Sequence, residues 1–217
     1  MKRKLLLLLS ILMISGCTNI NNLSYSELIN QSLDSDLVLL NEVSTGYKYY
    51  LPRGVTLKED NDFNQKLAFM DTYLYMYVDI VSYYYKNELN YRETEDFSYF
   101  YQNIEKDGKT GYVGIRQEGE KYFVKIVYNY AKIEAYVSEN QISSTISYAM
   151  ILLNSIRYND TLIDRIVNDT SVNSSEITYE IDKPSGSESK FSQYLSEYVQ
   201  EEDDNNDVVL PDEYENE

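Results

Sequence analysis

Histidine and tryptophan are absent from the 217 residues, and cysteine occurs once, at Cys17. The lack of histidine removes the commonest general base and metal ligand together, so zinc sites of the usual types and Ser-His or Cys-His catalysis are excluded. A lone cysteine has no disulfide partner within the chain. Positive charge is scarce: 19 Lys and Arg stand against 36 Asp and Glu, for a formal net charge of −17. Such a chain is repelled by phosphate backbones and anionic headgroups, so nucleic acid is not an expected partner, whereas cationic surfaces and calcium are electrostatically allowed. A phosphate-binding Gly-rich loop, EF-hand spacing and solenoid-type repeats are all missing. For an enzyme this leaves carboxylate pairs, Lys-activated serine or tyrosine. No metal or cofactor is expected.

What the sequence does have begins at its amino end. Lys2, Arg3 and Lys4 form a positive region, Leu5 to Ile14 form a ten-residue apolar stretch, and the small residues Ser15 and Gly16 precede Cys17. This is the layout of a secretory signal, and its apolar stretch is well below the ~20 residues of a spanning helix. Ile14-Ser15-Gly16-Cys17 resembles the lipobox of bacterial lipoproteins. The resemblance implies that residues 1–16 are a cleaved signal peptide and that Cys17 carries a diacylglycerol as the first mature residue. Two acyl chains hold a protein stably at a bilayer where one does not. The implied location is the extracytoplasmic face of the cell membrane, with the membrane as a partner through the lipid on Cys17.

The body reads as α+β: an antiparallel sheet packed against helices, with a disordered acidic tail. A polar tether runs to Leu23. Ser24 and Glu27 have capping-box spacing ahead of a helix over residues 25–33. An extended piece is expected at Leu37 to Leu40. Strands are expected over 47–51, ending at the turn Pro52-Arg53-Gly54, over 65–70, and over 73–85. In the last of these, Leu74, Met76, Val78 and Ile80 face one way and Tyr73, Tyr75, Tyr77 and Asp79 the other. Phe97 to Ile104 fits either period, and the Asp107-Gly108 turn favours strand. Residues 112–117, 122–128 and 131–137 continue the meander. Ser138 and Gln141 form a second capping box, and Ile142, Ile146, Ala149, Leu153 and Ile156 make one helical stripe. Asn159 to Thr161 can cap a shorter helix, and Ile177, Tyr179 and Ile181 alternate as a late edge strand. The order of elements is similar at fold level to the Mog1/PsbP-like α/β/α sandwich, a resemblance that implies an accessory, partner-binding role.

The α+β domain is expected to span residues 47–182, after a lipidated tether and helix over 17–46. Residues 183–189 read as a linker, and 190–217 as an amphipathic helix followed by an acidic tail. Phe191, Tyr194, Leu195, Tyr198 and Val199 share one helical face. From Glu201 to Glu217 there are nine acidic residues and no basic one, interrupted by the apolar island Val208-Val209-Leu210-Pro211. This end is either a solvated tail or a docking peptide that presents Phe191, Tyr194, Leu195, Tyr198, Val208 and Leu210 to an envelope protein with a basic surface. The run Asp203 to Asp207 lacks the fixed loop and Gly of a calcium site.

Twenty-four tyrosines are explained by composition bias and by a ring that suits half-exposed strand faces. The Tyr73, Tyr75, Tyr77 and Asp79 face is also the candidate binding face, a stacking platform for sugar or peptide. The expectation is a non-catalytic accessory lipoprotein of the cell envelope. Its rivals are a cell-wall glycan hydrolase, whose carboxyl pair Asp79 and Glu134 would have to stand ~5–9.5 Å apart, and a small-ligand delivery protein for a transporter.

Overall fold

The computed structural model describes residues 23–35, 39–87, 96–169 and 175–176. All of them belong to the first of two units into which the chain divides, between Asp182 and Lys183. The signal segment with Cys17, the expected strand at 177–181, and the tail with Phe191, Tyr194, Leu195, Tyr198, Val208 and Leu210 lie outside the described residues, as do Leu37 and Val38.

The capping box at Ser24 starts helix α1 (Tyr25–Leu33): the Glu27 carboxylate accepts the Ser24 N–H at 2.8 Å, and Ser24 Oγ accepts the Glu27 N–H. Strands β1 (Glu42–Ser44) and β2 (Tyr47–Tyr49) form a small sheet with the later β10 (Arg157–Tyr158). The main sheet has seven antiparallel strands: β3 (Val55–Asn61), β4 (Asn64–Phe69), β5 (Thr72–Val78), β6 (Phe100–Lys106), β7 (Lys109–Glu118), β8 (Lys121–Tyr128) and β9 (Ala131–Val137). Their spatial order is β3-β4-β5-β9-β8-β7-β6, so two meanders meet where β5 pairs with β9. The edge strand β3 carries a bulge between Leu57 and Glu59 and charged side chains, which disfavour pairing with another chain.

Helix α3 (Ile142–Ser155) crosses β8 and β9, and α1 packs on α3. Ile142, Ile146, Ala149 and Leu153 are buried, as their spacing predicts, against Leu74, Met76, Ile126 and Ile133 of the same core. Helix α4 (Asp160–Val167) is capped by Asn159, whose Oδ1 accepts the Leu162 N–H at 3.1 Å, and buries Ile163 beside Gly46. Among the described residues no helix is long and apolar enough to cross a membrane.

The structure corrects the sequence reading at Tyr73 to Tyr85. Strand β5 ends at Val78, and Ile80–Tyr85 is helix α2. Asp79 causes the switch: its Oδ1 accepts the Ser82 N–H at 2.8 Å, which is N-cap geometry, so its side chain is committed to the helix start. Lys86 closes the helix in the left-handed region, at φ 51.

Candidate functional site

One face of the main sheet enters the core; the other carries the polar and aromatic side chains. On β5 the period-two reading holds. Leu74, Met76 and Val78 are buried in the core, while Tyr73, Tyr75 and Tyr77 point to the opposite face. Tyr73 is 41% exposed but Tyr75 only 8%. The Lys66 ammonium lies 4.6 Å from the Tyr73 ring centroid and 5.8 Å from that of Tyr75, and it pairs with Glu59 at 3.2 Å. These two rings therefore already hold a cation of the chain itself.

The register builds this face as rows running across every strand. One row is Glu59, Lys66, Tyr75, Glu134, Lys125, Gly114 and Tyr101, from β3 to β6. The next is Asn61, Asn64, Tyr77, Lys132, Val127, Tyr112 and Asn103. At the centre, the Glu134 carboxylate is shared by the ammonium groups of Lys125 and Lys132, each at 3.3 Å. Burial pushes the Glu134 carboxyl up, but the two lysines outweigh it and hold the group below its ordinary value. Lys132 also pairs with Glu176 at 2.5 Å, and Asn64 Nδ2 donates to the Ser175 carbonyl at 3.0 Å. Burial raises the Glu176 carboxyl despite that lysine.

Toward β7 the same alternation of charge and ring continues. The Arg116 guanidinium stacks 3.9 Å from the Phe123 ring centroid and pairs with Glu118 at 2.5 Å, and the Tyr136 hydroxyl donates to Glu118 at 2.7 Å. Phe97, Phe123 and Tyr136 form a small second core beside Tyr101 and Tyr112.

Of the expected binding face, Tyr73, Tyr75 and Tyr77 are brought together and Asp79 is not. Nor does the fold bring Asp79 and Glu134 together as a carboxyl pair. Glu134 lies opposite Tyr75, and Asp79 is four residues further along the chain, about 13 Å of extended strand. Among the described residues no three acidic side chains cluster closely enough to hold a metal ion.

The Lys125, Lys132 and Glu134 cluster was not anticipated from the sequence. Its signal is the turn: a two-residue connection at Asn129-Tyr130, both at positive φ, places Lys125 opposite Glu134 and Lys132 opposite Val127. With that turn fixed, the ion pair follows from counting four residues outward from Asn129 and from Tyr130.

Comparison with protein-family models, with curated proteins and with solved structures finds no match for this chain.

Proposed function

We propose that the chain is a lipid-anchored accessory lipoprotein on the extracytoplasmic face of the cell membrane, non-catalytic, whose α+β domain and carboxyl-terminal tail bind envelope proteins. The observation that carries the reading is the lone cysteine at the end of Ile14-Ser15-Gly16-Cys17, behind a positive region and a ten-residue apolar stretch. The binding half of the reading is supported by a sheet face whose aromatic and charged side chains are arranged in rows, with Tyr73 exposed at one side of it.

Replacement of Cys17 by alanine tests the anchor. Labelling with a radioactive fatty acid and partitioning into detergent should both be lost, and an unchanged variant overturns the reading. Crosslinking in native membranes tests the binding half by comparing the full chain with one ending at Lys190. Capture of the same envelope proteins by both assigns the contact to the domain, capture by the full chain alone assigns it to the tail, and no reproducible capture by either removes the accessory role.

A further inference from the structure

The two-residue turn between β4 and β5 consists of Met70 and Asp71, with Phe69 paired to Thr72. Met70 sits there at φ 52, in the left-handed region where Gly or Asn is at home, and its side chain is 64% exposed. The other methionines of the described residues, Met76 and Met150, are 1% and 0% exposed within the core. An unbranched apolar side chain held in a strained conformation in water is a departure from local preference that packing does not explain.

The surroundings of the sulfur are specific. The side chain of Gln141, in the 3₁₀ turn that leads into α3, has its oxygen fixed by the Ser138 N–H at 3.0 Å. That leaves its amino group aimed at the turn, where Nε2 donates to the Asp71 carboxylate and approaches Met70 Sδ at 4.0 Å. An amide nitrogen has two hydrogens. One is used by a carboxylate, and the other faces a thioether, which is a weak acceptor.

We propose that Met70 is a methionine oxidation site whose sulfoxide form is received by Gln141, so that oxidation fastens the β4–β5 turn to the start of α3. The oxidant is a two-electron peroxide: its terminal oxygen is transferred to Met70 Sδ, the sulfur is oxidised by two electrons, and hydrogen peroxide is reduced to water. The S–O oxygen is a strong acceptor placed where the second Nε2 hydrogen already points. Sulfoxide formation at a buried methionine breaks packing, whereas at Met70 it exchanges a weak polar contact for a stronger one.

Treatment of the full-length protein with dilute hydrogen peroxide, followed by peptide mass mapping over time, tests the site. Met70 should gain one oxygen at least about tenfold faster than Met76 or Met150; comparable rates overturn the proposal. Thermal unfolding of oxidised and reduced protein then tests the receiver. The wild type should hold or raise its midpoint on oxidation. The Gln141→Glu variant keeps the acceptor oxygens of the cap but lacks the amide donor, so its midpoint should fall. An equal fall in both proteins removes Gln141 from the mechanism and overturns it. Met70→Leu, which cannot form a sulfoxide, should show no shift under the same treatment, and a shift there would assign the effect to another residue.

Discussion

The ring of Phe97 lies directly on the backbone of Gly114: a Cβ placed at residue 114 would meet Phe97 ring carbons at 2.6 Å. Gly114 is thus the gap in the central polar row, opposite Lys125 on one side and Tyr101 on the other, through which an aromatic side chain from outside the strand reaches the sheet. Gly114→Ala should destabilise the domain by about 1–3 kcal/mol, as overpacking does. In a Phe97→Ala background the same change should cost much less, and a double-mutant cycle in urea checks this. Additive effects would mean that the ring is free to move aside.

The Asp79 cap ends β5 and starts α2. Asp79→Ala removes the acceptor for the Ser82 N–H and should cost about 1 kcal/mol in urea unfolding, whereas Asp79→Ser should recover most of it. If the segment were strand through Tyr85, Asp79→Ala would be neutral or stabilising, since Ala and Asp are both poor strand formers.

The junction between β5 and α2 is not marked by hydrophobic period. Ile80 falls in phase with Leu74, Met76 and Val78, and Tyr83 to Tyr85 favour strands, so hydrophobic period alone carries the strand through the cap. Strand β3 was missed for the opposite reason. Thr56, Lys58, Glu59, Asp60 and Asn61 are exposed at the sheet edge, which leaves no alternation to detect. Elements whose ends are chemically marked were legible. Helix α1 matches its expected limits at Tyr25 and Leu33, and β9 matches at Ala131 and Val137. The tyrosine face of β5 was readable because it is local. The Glu134 cluster depends on pairing between strands, which hydrophobic period does not encode.

Tyrosine burial gives the protein an alkaline limit. Burial, and secondarily the hydrogen bond to Asp160, push the Tyr83 phenol up to about 12; a hydrogen bond with Tyr25, with burial behind it, does the same for Tyr99, to about 12. Burial raises Tyr47, Tyr49, Tyr77 and Tyr136 as well. A phenol whose folded pKa is raised contributes stability that is complete below its ordinary value of about 10 and lost as pH rises through the folded value. Ultraviolet titration should therefore show the raised phenols ionising together with unfolding, above the ordinary value of about 10. One smooth transition near pH 10 with circular dichroism unchanged would contradict the burial described above.

Glu134 sets the corresponding acid limit, with the opposite sign. Its carboxyl is held below the ordinary value of about 4.3 by Lys132 and Lys125. The contribution to stability is therefore present above that value and lost as pH falls through the lowered one. Glu134→Gln leaves the two largely enclosed ammonium groups facing an amide, although Lys132 keeps Glu176. Removal of one partner from a buried ion pair typically costs about 3–5 kcal/mol, and the retained Glu176 contact puts the expected loss near the lower end, about 3 kcal/mol at neutral pH. In acid the native carboxylate is itself protonated, so the gap between wild type and variant should close as pH falls through that lowered value. Urea unfolding of both proteins at neutral and acid pH measures the closure. A gap that stays constant would assign the loss to the shape of the amide rather than to charge, and would remove the Lys125, Glu134 and Lys132 cluster as the electrostatic centre of the sheet.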